Sequence, residues 1–515
     1  MERSSSVAPE GAVAPSSLPM ETTVLIVGAG LSGICVGHDL RAAGIDDFCI
    51  VEAAGGPGGT WRHNIYPGAA CDIPSHLYCF SFAPNPEWSR VYSPQPEILA
   101  YVMRCIDEFG LAPHLHYERT VLAHVFDDDR QRWVTRFEDG SVVSSRFLVR
   151  AAGGLHKPSW PDVTGLSTFG GDLTHSARWD PDIDLAGRSV AVIGSAASAI
   201  QIVPEAARVA GAVVMFQRTP NYIFPREDRA YTDEERVDFR ENPEALAAVR
   251  SQMFLHCELD VHPIITGGPE IQAIAREVHR QYLGSQVPDP ELRRRLVPDY
   301  PVGCKRMLIS DDFYPSLMLE HVELVTDAIA AVDATGIITR DGRHRAVDVI
   351  VCATGFDLQG HGHSVEVLGA GGSSLAELWK TVPAAHRGVA VPGFPNMFLM
   401  VGPNSGTGTV STVHIIEADS GYVVRCIQLA QDDKLVEPSM QAFTAYNEQL
   451  QRRLAGTVWA GSCDSWYKVG GHITALYPGD GREYAADKAT LQMDELRLRQ
   501  ATPSAPPPVA GGRRV

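Results

Sequence analysis

Two short stretches carry residue types whose spacing could hold a dinucleotide. VLIVGAGLSG places Gly28, Gly30 and Gly33 in G-x-G-x-x-G spacing between an apolar run and a helix-like segment. Glycines there permit a tight turn, close approach of backbone to a pyrophosphate and close helix-on-strand packing, while the helix start offers free N–H groups to the anion. Glu52 stands 24 residues after Gly28, at the end of the next apolar run, where a carboxylate can meet ribose hydroxyls. VAVIGSAASA repeats the arrangement with Gly194 kept and Ala196 and Ala199 at the other two glycine positions. Arg218 stands 24 residues after Gly194. A carboxylate there would repel a 2′-phosphate, whereas a guanidinium can grip it bidentately. Ser195 and Ser198 in this second loop, and Thr219 beside Arg218, join the candidate contacts. The first site therefore suits a dinucleotide with free ribose hydroxyls and the second NADP(H). Two such sites in one chain predict electron transfer from nicotinamide to a flavin and onward to O2. A disulfide reductase would share the layout but would need a redox cysteine pair. The ten cysteines are scattered with no C-x-x-C, and read as buried reduced thiols without a metal-like cluster.

The elements that must position these loops follow from the pattern around them. TTVLIVGAG, LSGICVGHDLRAAG and FCIVEAA alternate strand, helix and strand, as do SVAVIGS, AASAIQIVPEAARVAG and VVMFQR. These are βαβ units, so the fold class is α/β, with two nested Rossmann-like dinucleotide-binding domains. Between Pro225 and Pro301 the composition turns charged and helix-favouring, a helical insertion over 221–300. The expected division is 21–150 with 386–498, enclosing 155–220 with 301–380. Residues 1–20 and 499–515, rich in Ser, Ala, Pro and Gly, are expected to be disordered tails. A length of 515 residues suits about three domains. The net charge of −18 argues against nucleic-acid binding. The absence of a long apolar run or an apolar leader points to a cytoplasmic protein off the membrane, a monomer or weak homo-oligomer. The six Lys against 38 Arg read as the mark of a GC-rich genome.

One segment is more specific. FGGDLTHSARWD places Phe169, Gly171, His175, Trp179 and Asp180 at the fixed positions of the F-x-G-x-x-x-H-x-x-x-W-[P/D] fingerprint, and the chain resembles the type I Baeyer–Villiger monooxygenases. GGTWRHNIYPGAACD is similar to a family segment that implies FAD contacts at Gly59, Thr60, Trp61 and Tyr78 and an active-site Asp at Asp72. In GCKRM the resemblance puts Lys305 at the 2′-phosphate of NADPH and Arg306 at the catalytic arginine. DVIVCATGF, with Ala353, Thr354 and Gly355, resembles the chain-crossing motif between the domains. GPNSGTG, with Asn404, resembles the loop beside the flavin, and DSWY puts Trp466 in the loop that closes over nicotinamide and substrate. The similarity spans roughly 21–480. Two departures stand out: Ala70 where many relatives carry Arg, and the two glycines lost around Ala196. The cofactors implied are FAD and NADPH, the partners a small-molecule ketone and O2, and the product an ester or lactone. A ketone of natural-product type is expected from the source reading.

The chemistry of the same residues agrees. A C4a-peroxyflavin must stay deprotonated and dry to attack a ketone, so it needs a fixed positive charge nearby. Arg suits this because it cannot give up its proton at working pH, and Asp72 is its expected counter-charge. His175 and Trp179 are expected to couple the domains and position NADP(H). Phe80 and Phe82, with Tyr78, also read as core at strand spacing. Two alternatives stay open: an N- or S-oxygenating flavin monooxygenase, disfavoured by Trp179-Asp180 and Arg306, and a non-catalytic nucleotide-binding module.

Overall fold

A computed structural model of the chain describes residues 18–357, 365–461 and 463–501. The greater part of both expected tails, 1–17 and 502–515, lies outside the described residues.

Two sheets organise the molecule. The first runs in the order Glu366–Leu368, Val121–Asp127, Arg132–Phe137, Val142–Arg150, Glu21–Val27, Phe48–Val51 and Leu115–His116, with Met397–Leu399 also pairing on Val142–Arg150. Its central pairings are parallel, and the strands Val121–Asp127, Arg132–Phe137 and Val142–Arg150 form an antiparallel meander. The second sheet is parallel throughout, in the order Val322–Val325, Ala212–Phe216, Ser189–Ile193, Val349–Cys352 and Asp172–His175. The continuous apolar runs are explained by burial on both faces. Along Glu21–Val27, Val24 and Ile26 face a core shared with the helices Leu31–Ala42 and Thr412–Leu429, while Leu25 faces Phe126, Trp133 and Phe394 on the other side. This is the α/β arrangement expected from the motifs.

The segment between Pro225 and Pro301 is helical, with helices Asp233–Glu241, Pro243–His256, Pro269–Gln286 and Pro290–Leu296. Thr232 and Glu235 close a reciprocal cap on the first, Asn242 and Asp289 cap others, and Pro opens three of them, where its missing N–H has no helical partner to lose.

The structure redraws the expectations in four places. The strand Glu366–Leu368 joins the first sheet, and Leu375 and Trp379 fill its core, although 301–380 was assigned to the second unit. Leu496–Gln500 pairs antiparallel with Lys434–Pro438, so the fold runs past 498 into the expected tail. Residues 78–82 form bends rather than a strand: Phe80 is buried, while Phe82 is exposed and stacks on His38 at 4.0 Å. Finally, Cys304 and Cys463 form a disulfide, against the expectation of reduced thiols throughout; the other eight cysteines are free and buried. With a sequence separation of 159, no local spacing signals the pair.

The chain crosses between the sheets near 151–160 and leaves the second sheet again over 353–357, and these two segments lie side by side. Pro158 bridges Phe356, Ser159 N–H donates to the Gly355 carbonyl at 2.9 Å, and Asp357 N–H donates to the Lys157 carbonyl at 2.9 Å. Lys157 Nζ also meets the Asp357 carboxylate at 2.9 Å. Among the described residues no helix is long and apolar enough to cross a membrane.

Candidate active site

Each glycine loop sits where a strand ends, a helix begins and a crossing passes underneath. Gly28 has φ +110°, and a Cβ there would lie 2.4 Å from the Ala151 carbonyl oxygen. Gly194 repeats this with φ +131° and 2.3 Å to the Ala353 carbonyl oxygen. A side chain is excluded at both, so the backbone itself forms the floor. Gly30 and Ala196 are the N-caps of Leu31–Ala42 and Ala197–Val209, and neither supplies a side-chain cap. The first-turn N–H groups are thus left for an anion. Gly33 packs tightly, since a Cβ would fall 1.9 Å from the Gly28 oxygen, whereas the equivalent Ala199 is accommodated, fully buried.

Glu52 anchors the first loop: one oxygen accepts from Ala29 N–H and the other from Ala54 N–H, both at 2.9 Å. Lone pairs remain for hydroxyl donors. Gly58 and Gly59, both with positive φ, lean against this loop; Gly58 N–H donates to the Ala29 carbonyl at 2.9 Å. Thr60 and Trp61 follow in the short helix Thr60–His63, and Trp61 Nε1 donates to Tyr78 Oη at 3.0 Å.

In the second loop Ser195 Oγ donates to the Thr219 carbonyl at 2.8 Å, tying the loop to the strand end that carries Arg218. Arg218 is exposed. Lys305 sits over the Tyr300 ring at 4.9 Å; burial lowers its pKa, Asp464 opposes this, and the neighbouring Arg218 cation adds to the lowering. Two cations are thus gathered beside the second loop, 87 residues apart in sequence. Ser198 approaches Tyr66, whose hydroxyl donates to Gln201 Oε1 at 2.9 Å. Gln201 Nε2 in turn donates to the Ala70 carbonyl at 3.0 Å. The helix Ala197–Val209 therefore holds the segment that ends in Asp72.

That segment ends in an ion pair. Asp72 Oδ2 accepts from Arg306 Nε at 2.9 Å and from Nη2 at 2.8 Å. Nη1 has no acceptor among the described residues. The carboxylate holds the guanidinium firmly protonated by raising its pKa, against the opposing effect of burial. Two further side chains support the pair. Arg226 Nη2 donates to the Cys71 carbonyl at 3.1 Å and its guanidinium lies over the Tyr92 ring at 5.0 Å. Tyr467 is buried, its phenol pushed up to about 12 by burial, with Arg306 and Asp72 both acting on it. Trp466 beside it is 54% exposed, its ring 4.5 Å from that of Tyr467. Asn404, with φ +58°, is buried and donates from Nδ2 to the carbonyls of Ile473 and Leu476, both at 2.8 Å, joining two loops at this edge.

Residues 26–94 match the NAD(P)-binding Rossmann-like domain family. Over 486 residues, 93% of each chain, the sequence is 38% identical to a Baeyer–Villiger monooxygenase of Streptomyces coelicolor. The chain belongs to the Baeyer–Villiger monooxygenase family. Among solved structures, a steroid monooxygenase bound to NADP is similar with TM-score 0.83 at 30% identity, covering 94% of this chain and all of that one. The enzyme OTEMO in complex with FAD and NADP gives TM-score 0.85 at 26% identity, covering 93% and 99%.

In this Baeyer–Villiger monooxygenase the fingerprint splits in two. Phe169 and Trp179 pack into the cores on opposite faces of the second sheet, Gly171 leaves no room for a Cβ against the Asp348 carbonyl oxygen at 2.3 Å, and Asp180 Oδ1 closes a turn on Asp182 N–H. His175 is fully buried and its pKa is lowered, chiefly by burial. Its Nδ1 accepts from Ala177 N–H at 3.0 Å, and Nε2 lies 3.4 Å from Thr354 Oγ1, which donates to the Ser159 carbonyl at 2.6 Å. The fingerprint histidine and the second crossing thus share one hydrogen-bond cluster. Arg226 and Tyr467 were not singled out from the sequence. Arg226 was hidden inside a segment characterised only by helical composition, and Tyr467 stood one residue from a more conspicuous Trp.

Proposed function

We propose that the chain inserts one oxygen atom from O2 beside a ketone carbonyl, giving an ester or lactone, with FAD in the first loop and NADPH in the second. The observation that carries this reading is the Asp72–Arg306 pair, on a segment held by the second of two uncapped glycine-loop helices, with Nη1 of the arginine given no acceptor among the described residues. Gly28, Gly30, Gly33, Glu52, Gly59, Thr60, Trp61, Tyr78 and Asn404 would hold FAD. Gly194, Ser195, Ala196, Ser198, Arg218, Thr219 and Lys305 would hold NADPH, the two cations meeting its 2′-phosphate, with Ala353, Thr354 and Gly355 completing the wall and Trp466 closing over the nicotinamide. The residues fit both groups: the floors exclude any Cβ and the helix starts are free. When bound there, FAD would supply the hydride-accepting and O2-activating chemistry that a ketone oxygenation needs, with NADPH as the reductant.

The protein's own contribution is charge, orientation and dryness. Arg306 presents a permanent cation to negative oxygen in the adduct and cannot quench it by proton transfer. Asp72 fixes the plane of the guanidinium, so Nη1 keeps one direction through turnover. Tyr467, near enough to Arg306 and Asp72 to feel both charges, is buried, as are Trp459 against its ring and Cys304 two residues before Arg306. Ketones of natural-product type are the proposed substrates, and a cytoplasmic location and a monomer or weak homo-oligomer belong to the same proposal.

The test is incubation of the FAD-loaded enzyme and NADPH with cyclic and aryl ketones under isotopically heavy O2, with mass spectrometry of products. One heavy oxygen in a lactone or ester is expected. Oxygen appearing only on amine nitrogen or sulfide sulfur would favour the heteroatom-oxidising alternative instead.

A further inference from the structure

The Cys304–Cys463 disulfide spans 159 residues with Cα atoms 6.4 Å apart, and its position ties it to the site. Cys304 immediately precedes Lys305 and Arg306, and Cys463 opens the loop that carries Asp464, Trp466 and Tyr467. Around it the contacts are of two kinds. Behind the loop, Trp459 Nε1 donates to the Gly303 carbonyl at 3.0 Å and the Trp459 and Tyr467 rings meet edge to face at 6.3 Å. Within the loop, Lys468 Nζ donates to the Gly461 carbonyl and, at 3.4 Å, to that of Cys463. The loop is therefore closed on itself by Lys468, and at its start one covalent link joins it to the Lys305–Arg306 segment. Trp466 gains little from packing, being more than half exposed.

We propose that Cys304 and Cys463 are a reversible redox site: the disulfide latches the Trp466 loop onto the Lys305–Arg306 segment, and reduction to two thiols frees the loop and weakens the grip on NADPH. In the reducing direction a dithiol supplies two electrons. Its thiolate attacks one sulfur to form a mixed disulfide, its second thiol displaces the cysteine, and both cysteines end protonated while the dithiol becomes a disulfide. The return needs a two-electron oxidant such as a peroxide, which takes up the two electrons and two protons as it is reduced. The other eight cysteines do not compete. All are buried, and burial pushes the thiols of Cys49, Cys352 and Cys426 up to about 12 and those of Cys105 and Cys257 up to about 11, where almost no thiolate forms. Both sulfurs of the bridge belong to buried residues, and Cys463, 9% exposed against 0% for Cys304, is the one a reductant reaches first when its loop opens.

The consequence for NADPH rests on the reading of Lys305 and Trp466 as nucleotide contacts, but the bond and its hold on the loop can be measured without nucleotide. The FAD-loaded enzyme is treated with diamide or with dithiothreitol, alkylated, and mapped by peptide mass spectrometry. A linked 304/463 peptide is expected after diamide and two alkylated cysteines after dithiothreitol. Limited proteolysis within 461–468 should accelerate on reduction. NADP⁺ affinity by calorimetry should weaken roughly three- to tenfold, as when the competent loop arrangement falls to about a third to a tenth of the population. Cys463→Ser should reproduce the reduced values and no longer respond to dithiothreitol; should that variant not fold, the oxidised and reduced wild type still decide. Full alkylation of both cysteines after diamide, or a cleavage rate indifferent to reduction, overturns the latch. A latch that forms and slows cleavage while NADP⁺ affinity stays unchanged overturns the nucleotide role assigned to the loop.

Discussion

Replacing Arg306 by Ala separates oxygen transfer from nucleotide oxidation. Among the described residues the guanidinium bonds only to one oxygen of Asp72, at 2.9 and 2.8 Å, so its orientation is fixed and Nη1 has no acceptor there. Removing a preorganised donor aimed at developing negative oxygen costs about 2.7–4 kcal/mol, or roughly 10²–10³ in rate. The side chain is 37% exposed, which places the expected loss near the lower figure. Asp72→Asn should be much milder: it keeps an oxygen acceptor and removes only the charge of a partly exposed pair, worth at most about 1 kcal/mol, or about fivefold. The assay follows ester formation and NADPH consumption together. With Arg306→Ala, ester should fall about a hundredfold while NADPH oxidation falls far less, the difference appearing as hydrogen peroxide. Ester formation near the wild-type rate would refute the role. A parallel fall of both rates with a raised KM for NADPH would move Arg306 from oxygen transfer to the nucleotide grip.

Other outcomes follow from the same structure. Arg218→Ala, at an exposed position, should raise the KM for NADPH about tenfold, the value of one charge-assisted contact of about 1.5 kcal/mol, and leave that for NADH unchanged in steady-state kinetics. Gly28→Ala forces a side chain onto φ +110° and into the Ala151 carbonyl; it should cost more than about 1 kcal/mol in denaturant unfolding and reduce the flavin bound per chain, read from the visible spectrum. His76 and His279 are buried and pushed down to about 4, chiefly by burial, so the unfolded chain takes up their protons first as pH falls. Their contribution is intact above about pH 6.5 and is lost toward pH 4, at about 1.4 kcal/mol per pH unit for each. Thermal unfolding across that window should show the slope, and His279→Gln should flatten it by one proton.

Both nucleotide loops were legible because their chemistry is local: a strand, a glycine at positive φ, a helix start and one diagnostic residue on the next strand lie within about 25 residues, the span of a single βαβ unit. The Asp72–Arg306 pair was reached only through resemblance, since nothing local in either segment announces a partner 234 residues away. The same distance problem hid the Cys304–Cys463 bond and the docking of Glu366–Leu368 on the first sheet. Residues 78–82 misled for the opposite reason. Alternating aromatics mimic a strand, but Phe80 N–H is taken by Tyr101 Oη at 2.8 Å and Ser81 by Glu417, so the backbone satisfies itself on side chains rather than on a ladder. The fingerprint was recognisable as a pattern, yet most of it packs the second sheet, and only His175 reaches the crossing.

The paired crossings bear on how the two halves can move. A single linker would let one half swivel in any direction about the other. Two linkers bonded along Lys157–Ser159 and Gly355–Asp357 behave as a strap hinge, stiff across its width, leaving one easy axis of rotation. Because the carbonyls of Ala151 and Ala353 at its ends are the ones on which Gly28 and Gly194 rest, turning about that axis tilts both phosphate floors at once. A rotation about that axis would therefore move both glycine loops together.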